Sequence, residues 1–415
     1  MQSALIQRYL GNKASIAPDI VQLISRLAGP NDLIFDAFSG SLAVSAALRA
    51  AGFRVAACDI NHFSWLFARA FFSTSELPSP TGVSVRTKAR KRAAWAELIE
   101  ELTAPYNRAV PKRYRRTDIF DHYCEQGSQS AFTSKRGSSG RRRFFSPQNA
   151  ASIDRALSRI RYWHRDDRLN EQSRCILLAV LISAVEKVSN TQGTFHDFPR
   201  EFVDSRALRP IRLVAPSDED FEGPVSKFIG RAEDTLAFAG TLPRHRVVYI
   251  DPPYNFRQYT SYYFMLNLMS EYPEIEDLDD YFSKVEFVRG QNMARDFKSS
   301  FCKKKDFIPS LDTLIRRSNA EYVVLSYFDG PNHWGEFKAR EAETTGRQLL
   351  EKFFCSDLFV ANSLECLPVK RQNYQSYGGH KAKSIQEFLF VARKSRKPER
   401  LKRLGVEPWI GRELA

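Results

Sequence analysis

The amino-acid sequence predicts an α/β fold built on a mostly parallel sheet, and three stretches of the chain support that prediction. Residues 33–36 form a short apolar run, the pattern of a buried strand, and a glycine-containing turn and a helix of small residues over 41–51 follow it. A second apolar run over 53–58 ends at Asp59, and a third, residues 246–250, comes much later in the chain. Strands that alternate with helices in this way indicate a doubly wound sheet, which binds ligands at the carboxyl ends of its strands.

The remaining pattern divides the chain into a sheet domain, an insertion and a tail. Helices are predicted over residues 19–28 and 63–71, and the apolar runs 322–326 and 388–392 are predicted to be late strands. Helical spacing dominates residues 148–190. The predicted boundaries are residues 1–70 and 228–395 for the two parts of the sheet domain, 71–227 for a basic, largely helical insertion, and 396–415 for a basic tail.

Basic residues exceed acidic residues in the composition. The 415 residues include 62 Lys and Arg against 48 Asp and Glu, a formal net charge of +14 at pH 7, which favours an acidic partner such as nucleic acid. Basic runs occupy residues 86–92, 112–116 and 135–143 of the insertion, and the last run, broken by Ser and Gly, is predicted to be a mobile loop. A solvated loop is the alternative to phosphate contact. The candidate contacts are Lys112, Arg113, Arg141, Arg142 and Arg143.

Cysteine usage and hydropathy predict a cytoplasmic protein with no membrane partner. The six cysteines show no CxxC spacing, so we expect reduced thiols rather than a metal site or a disulfide framework. No stretch approaches 18 uninterrupted apolar residues, so a transmembrane helix is not expected. The apolar run near the N-terminus is too short for a signal peptide.

The sharpest chemical signal is the tetrapeptide that follows the strand 246–250. It consists of Asp251, Pro252, Pro253 and Tyr254. An exocyclic base amine is a poor nucleophile because its lone pair is delocalised into the ring. A carboxylate and a rigid prolyl carbonyl that accept its two N–H bonds expose that lone pair, and an aromatic ring gives the extruded base a stacking surface. The alternative is a plain strand-ending turn.

Further residues at the predicted strand ends suit a nucleoside cofactor. The turn after the first strand contains Asp36, Phe38, Ser39 and Gly40, and a turn of this kind lets a ligand approach a helix N-terminus. Asp59, followed by Ile60, can bind both hydroxyls of a ribose, and the alternative for Asp59 is a helix N-cap. Two more candidates are the loop of Tyr9, Gly11, Asn12 and Lys13, and the acidic pair Glu233 and Asp234, which a solvated loop explains equally well.

Together these motifs resemble the D12 class of DNA adenine-N6 methyltransferases, particularly the branch of the type IIS restriction-modification systems. The resemblance covers nearly the whole chain and has the α-type motif order, with the cofactor motif first and DPPY last. It implies a Rossmann-like sheet dependent on S-adenosylmethionine (SAM), a largely helical inserted target-recognition subdomain and flipping of the base out of double-stranded DNA. The stretches that carry it are RYLGNK (8–13), FDAFSGS (35–41), FFSPQNAASIDRALSRIRYW (144–163), EKVSNTQGTF (186–195), VVYIDPPYNFRQYTSYY (247–263), YVVLSYF (322–328) and SIQEFLFVARK (384–394).

The resemblance also implies roles for single residues. Tyr9, Gly11 and Lys13 would border the cofactor, Phe38 and Gly40 would lie under its methionine, and Asp59 would hold its ribose. Asp251 to Tyr254 would bind the flipped adenine without a metal ion. This chain has Leu42 where the family motif has a second glycine, so we expect a larger side chain to crowd the cofactor. Glu233 and Asp234 are the candidates for the family's third acidic motif, where Arg231 occupies the usual acidic place.

Two rival functions remain open from the sequence. DPPY also occurs in methyltransferases that act on guanine amines of ribosomal RNA, although the long insertion argues against those compact enzymes. A non-catalytic DNA-binding relative is the third hypothesis, motivated by Leu42. The preferred hypothesis is a site-specific DNA methyltransferase of a restriction-modification or defence system, with a partner protein of that system.

Overall fold

The computed structural model describes residues 5–6, 8–81, 90–106, 110–202, 204–253, 256–328, 346–372 and 384–395. The chain divides into two compact units, each assembled from separate stretches of sequence. The helical unit comprises the described residues of Met1–Leu10, Asn61–Glu222 and Tyr259–Phe297. The sheet unit comprises those of Gly11–Ile60, Gly223–Gln258 and Lys298–Ala415.

A six-stranded sheet forms the centre of the sheet unit, in the order β2-β1-β5-β8-β10-β9. The pairs β1–β2, β1–β5 and β5–β8 are parallel, whereas β10 is antiparallel to both β8 and β9. The strands of this sheet are β1 (Leu33–Asp36), β2 (Arg54–Ala57), β5 (His245–Ile250), β8 (Ala320–Phe328), β9 (Glu365–Gln372) and β10 (Ser384–Arg393).

Helices pack on this sheet through apolar faces that the sequence spacing predicts. In the first helix, Ile20, Leu23 and Ile24 recur at helical spacing and are buried. A larger apolar cluster combines strand residues such as Val248 and Phe390 with helix residues from the later part of the chain. The helices of the sheet unit are α1 (Ala17–Ser25), α2 (Ala43–Ala50), α8 (Thr235–Phe238), α12 (Lys304–Arg317) and α13 (Gly346–Phe354).

The helical unit is built around two long helices with defined starts. Ser146 and Asn170 accept hydrogen bonds from the third residue of α6 and α7 respectively, which satisfies a main-chain N–H at each N-terminus. Two short hairpins, β3–β4 and β6–β7, complete the unit. Its elements are α3 (His62–Phe72), α4 (Lys91–Thr103), α5 (Asp118–Tyr123), α6 (Pro147–Arg165), α7 (Glu171–Val188), α9 (Tyr259–Tyr262), α10 (Phe264–Glu271), α11 (Leu278–Ser283), β3 (Ala131–Thr133), β4 (Ser139–Arg141), β6 (Val285–Glu286) and β7 (Gln291–Asn292).

The observed architecture confirms the predicted α/β class with a mostly parallel sheet. The two units do not coincide with the predicted boundaries. The described residues of Met1–Leu10, residues 61–70 and the stretch Tyr259–Phe297 group with the helical unit, and residues 223–227 group with the sheet unit. The predicted basic tail, 396–415, lies outside the described residues. Within the described part of the chain, no helix combines the length and apolar character needed to cross a membrane.

Candidate active site

Three carboxylates gather at the carboxyl edge of the parallel strands. Asp36 is the last residue of β1, Asp59 follows β2, and Asp251 follows β5 directly. The register aligns Asp36 with Tyr249, so β1 and β5 end side by side. Burial raises the pKa of Asp36 to about 7, against the lowering effect of a hydrogen bond from Ser45, and the negative charges of Asp251 and Asp59 add to the rise. The three strand ends therefore form one acidic site.

A buried lysine connects this site to a glutamate that sequence analysis missed. Lys13 Nζ lies 2.9 Å from Asp251 Oδ1 and 2.8 Å from Glu387 Oε1. Lys13 is 3% exposed, and Glu387, on β10, is fully buried. Ser326 Oγ on β8 donates a 2.5 Å hydrogen bond to the same Glu387 oxygen. The ammonium group therefore bridges two carboxylates and fixes the position of Asp251, the residue predicted to be catalytic.

The one feature of the sequence that could have identified Glu387 is its position within an apolar strand. A glutamate within the apolar strand SIQEFLFVAR is unusual, because a buried carboxylate is costly unless it is paired. Its partner could not be identified from local sequence, because Lys13 lies near the opposite end of the chain.

The turn between β1 and α2 is tied to the end of β2. Ser39 N–H donates to the Cys58 carbonyl at 2.9 Å, and Gly40 N–H donates to Asp59 Oδ2 at 2.8 Å. Gly40 has a φ of 46°, a left-handed conformation that glycine adopts at low cost. Phe38 packs edge-to-face on Phe301, with ring centroids 5.0 Å apart. These contacts bring the predicted cofactor turn and Asp59 together.

Leu42 occupies the position where the family motif has its second glycine. It precedes α2 as the N-cap residue, with a φ of 64°. A leucine rarely adopts this left-handed conformation, which costs roughly 1–2 kcal/mol. Its side chain is fully buried. The site therefore retains a glycine-type backbone with a large apolar side chain.

The acidic pair Glu233 and Asp234 comes shortly after a segment that pairs with the end of β2. Ala57 pairs with Ile229 in a parallel bridge. Asp234 Oδ1 accepts a 3.0 Å hydrogen bond from Leu236 N–H, so Asp234 caps α8. Burial raises the pKa of the Cys58 thiol, and the charges of Asp59, Glu233 and Asp234 raise it further. Cys58 Sγ also lies 3.4 Å from the Glu233 carbonyl, so the acidic pair lies near Cys58 at the end of β2.

The remaining predicted site residues are distributed as follows. Gly11 adopts a φ of 79°, and Asn12 Oδ1 accepts a hydrogen bond from Ala14 N–H at 2.9 Å, so both belong to the turn before Lys13. Tyr9 lies in the helical unit, where its ring stacks on Tyr263 at 4.6 Å. Pro252 is buried, Pro253 and Ile60 are half-buried, and Tyr254 lies outside the described residues.

Apart from Arg142, the predicted DNA-contacting cations have three different environments. Lys112 and Arg113 are exposed on a short 3-10 turn. Arg141, at the end of β4, is exposed but bonds to the Gly127 carbonyl at 2.8 Å. Arg143 is half-buried and pairs with Glu125.

Arg142 does not fit the prediction of a phosphate contact. It is 5% exposed, and its guanidinium donates to the main-chain carbonyls of Phe287, Val288 and Gln129 at 3.0–3.1 Å. A cation that is buried and bonded in this way holds loops together. The segment 135–143, which is predicted to be a mobile loop, contains the turn and the second strand of the β3–β4 hairpin.

No group of His, Cys, Asp and Glu in the described ranges has the arrangement of a metal site.

The mostly parallel sheet, with catalytic candidates at its carboxyl edge, is typical of α/β enzymes and is consistent with the methyltransferase class. The family described as D12 class N6 adenine-specific DNA methyltransferase matches residues 9–327. The chain belongs to this family. The resemblance seen in the sequence is thereby confirmed, as is the predicted enzyme class, a methyltransferase that acts on adenine in DNA and requires a methyl donor.

Curated relatives carry consistent names. The chain is 26% identical over 392 residues to "Type II methyltransferase M.NlaIII" of Neisseria lactamica, covering 93% of this chain and 99% of that protein. It is 25% identical over 338 residues to "Type II methyltransferase M.FokI" of Planomicrobium okeanokoites, covering 77% of this chain and 44% of the relative. It is 25% identical over 396 residues to "Modification methylase StsI" of Streptococcus sanguinis, covering 94% and 52%. The chain thus spans nearly all of the first relative and about half of the other two.

Proposed function

We propose that this protein transfers a methyl group from SAM to N6 of adenine at a specific site in double-stranded DNA, as the modification enzyme of a restriction-modification system. The observation that carries the proposal is the fixed carboxylate of Asp251, which Lys13 bridges to the buried Glu387. The names of the relatives, type II methyltransferases and a modification methylase, support the biological role. A restriction or defence partner and a cytoplasmic location belong to the same proposal.

The acidic site suits SAM by its charge and by its glycine backbone. The carboxylates of Asp59 and Glu387 outnumber the single ammonium of Lys13, and an excess of negative charge suits a ligand with a sulfonium cation. The glycine backbone at Gly40 permits close approach of a ligand. We assign Asp59 to the ribose hydroxyls, since its carboxylate lies at the end of β2 against the Gly40 turn, and Asp234 to the adenine end.

When bound, SAM supplies a methyl group on a positively charged sulfur, which makes that group open to attack by a nitrogen lone pair. The residues of this chain prepare the nitrogen. Asp251 accepts one N–H bond of the adenine amine and a prolyl carbonyl of Pro252 or Pro253 accepts the other, so the lone pair is freed from the ring. Lys13 holds the Asp251 carboxylate in a single position before the base arrives, which avoids a cost of reorganisation.

We assign target recognition to the helical unit and base stacking to Tyr254. The helical unit contains the exposed cations Lys112 and Arg113, which suit phosphate groups. An aromatic ring at position 254 suits an extruded base. We expect Tyr254→Ala to weaken the binding free energy of that base by roughly 1–3 kcal/mol. Tyr9 is assigned to the cofactor's surroundings on the family motif alone.

The experiment that tests this function supplies the purified chain with methyl-labelled SAM and either duplex DNA or ribosomal RNA. We expect label in N6-methyladenine of the duplex, at one sequence context when the modified bases are mapped. Transfer to RNA guanine instead would favour the rival RNA enzyme. DNA binding without transfer to either polymer would favour the non-catalytic relative.

A further inference from the structure

The turns of two short hairpins come together in the helical unit and form a surface that the proposed function has not used. We call it the hairpin surface. It consists of Lys135 and Arg136 from the β3–β4 turn, and Phe287 and Arg289 from the β6–β7 turn. The Lys135 Nζ atom lies 5.9 Å from the centre of the Phe287 ring, and the Arg289 guanidinium carbon lies 5.5 Å from it. An aromatic ring between two cations is therefore presented at the surface.

Phe287 is held in a conformation that its own side chain disfavours. Its φ is 61°, and its side chain is 40% exposed. A bulky residue in the left-handed region costs roughly 1–2 kcal/mol, and an exposed ring recovers little of that cost through burial. Strain of this kind that the surroundings enforce is a common mark of a functional residue.

The surroundings enforce the turn through buried groups. The Arg142 guanidinium donates to the carbonyls of Phe287 and Val288, both at 3.1 Å. Tyr123 Oη donates to the Gly290 carbonyl at 2.8 Å. A Cβ atom at Gly290, whose φ is 74°, would lie 2.8 Å from Arg142 Nε and 2.9 Å from the Tyr123 ring. The turn is therefore a built platform that presents Phe287.

The charge around this platform is positive. Lys135 and Arg136 are exposed, and Arg289 is half-buried and tethered to Ser261 Oγ at 2.8 Å. The acidic groups nearby are Glu286, next to Phe287 in the chain, and Asp296 and Asp197, which both act on Arg289. Asp197 also pairs with Arg200 at 3.2 Å. The four cations Lys135, Arg136, Arg200 and Arg289 thus oppose three carboxylates, and this positive excess favours a polyanion as the partner.

We propose that Phe287 stacks on bases of double-stranded DNA at a step it partly opens, while Lys135, Arg136 and Arg289 contact the flanking phosphates. An apolar ring with adjacent cations matches a base step with phosphates on either side. This inference rests on the proposed function, because it takes the partner to be the DNA substrate. It adds a contact separate from the stacking of the extruded adenine assigned to Tyr254.

The test measures binding of the full chain to a cognate duplex with 2-aminopurine in turn at each position near the target. Phe287→Asn removes the ring, and asparagine tolerates a positive φ, so the unfolding free energy is expected to stay equal or rise. Affinity is expected to fall by about 5- to 150-fold, the equivalent of removing one base–aromatic stack. Phe287→Trp is expected to keep affinity within about threefold of wild type, because indole also stacks.

Two comparisons separate stacking from charge and from a general effect of surface truncation. Lys135→Ala and Arg136→Ala are each expected to reduce the slope of log affinity against log salt by roughly 0.9, whereas Phe287→Asn leaves that slope unchanged. Leu208→Ala is the matched control, since Leu208 is also an exposed large apolar residue of the helical unit, 54% accessible. It is expected to bind as wild type does.

The outcomes also separate this inference from the proposed function. Wild-type protein that binds and methylates the duplex, with Phe287→Asn equal to it in affinity and in 2-aminopurine fluorescence, overturns the inference and leaves the function standing. Wild-type protein that neither binds nor methylates DNA overturns the proposed function itself. A loss of affinity in Phe287→Asn that Leu208→Ala does not share, together with a fluorescence enhancement at one position near the target that wild type shows and Phe287→Asn lacks, supports the inference.

Discussion

The buried carboxyl group of Asp36 lowers the stability of the folded protein near neutral pH and suits a cationic ligand. The carboxyl group is buried at the end of β1, and burial together with Asp251 and Asp59 raises its pKa to about 7. Ser45 Oγ donates to Asp36 Oδ2 at 2.6 Å, which opposes only part of the rise. The folded protein therefore holds a proton there that the unfolded chain, with a pKa of 3.8, releases. A cationic ligand beside this carboxyl would favour its ionised form and so offset part of the free energy that burial of the charge costs.

This difference predicts a pH-dependent effect of Asp36→Asn. Because the folded-state pKa is raised, the contribution of Asp36 is most favourable below about pH 4 and is lost as pH rises toward about pH 7. Asparagine cannot ionise and has no such loss. The unfolding free energy of the variant relative to wild type should therefore increase by about 2–3 kcal/mol between about pH 5 and about pH 8, measured by chemical denaturation without ligand. If the unfolding free energies of the variant and the wild type differed equally at both pH values, the raised pKa of Asp36 would be contradicted.

Single residues also mark the limit of sequence reasoning at this scale. Asp36, Asp59 and Asp251 could be predicted because each ends an apolar run, and parallel strands end at one edge. Glu387 and the buried role of Arg142 could not be predicted, because their partners are distant in sequence and only tertiary structure brings them together.

At the scale of the element, the turn into α2 combines strain with burial. Leu42 has the backbone of a glycine but the packing of a core residue. Relief of left-handed strain by Leu42→Gly is worth roughly 1–2 kcal/mol, whereas loss of a buried leucine costs roughly 2–5 kcal/mol. Packing is therefore the larger effect.

The two magnitudes predict an order of stability for substitutions of Leu42. Wild type should be the most stable, Leu42→Gly should be destabilised by about 1–3 kcal/mol, and Leu42→Ala should be less stable than Leu42→Gly because alanine keeps the strain. Chemical denaturation of the three proteins measures this order. A glycine variant more stable than wild type would show that strain, rather than packing, dominates the turn.

The sequence pattern predicts some strands of the sheet and not others. Four parallel strands are apolar runs and could be identified from sequence. β9, Glu365–Gln372, was missed because it carries charges and Pro368, as edge strands commonly do. The segment 135–143 is predicted to be a mobile loop, yet it contains β4 of the β3–β4 hairpin. The contact of Arg142 with the Gln129 carbonyl beside this hairpin has no pattern in the local sequence.

At the scale of the whole molecule, the basic excess serves more than one purpose. Arg142 and Arg161 are buried and bond to main-chain carbonyls, so part of the net charge of +14 stabilises the fold. Lys112 and Arg113 are exposed. The sequence could reveal the excess but could not sort these roles, because burial depends on the folded chain.

This sorting predicts two classes of arginine and lysine variant. Lys112→Ala with Arg113→Ala should reduce the slope of log DNA affinity against log salt by roughly 0.9 for each phosphate that the variant no longer binds, with no change in stability. Arg142→Ala should instead lower the unfolding free energy by about 3 kcal/mol or more, because several buried carbonyls lose a charged donor. Salt titrations and denaturation curves on the same proteins measure both effects. An Arg142→Ala protein of wild-type stability with a reduced slope would reverse the assignment.

The most direct test of the central claim, that Asp251 prepares the adenine amine, compares wild type with Asp251→Asn. Calorimetry measures SAM binding, and single-turnover transfer of labelled methyl to a cognate duplex measures chemistry. We predict nearly unchanged SAM affinity and a transfer rate reduced by about a hundredfold or more, because a neutral amide is a weaker acceptor for the N6 hydrogens. A variant that transfers methyl at the wild-type rate, or that loses SAM binding in proportion to its rate, would contradict the claim.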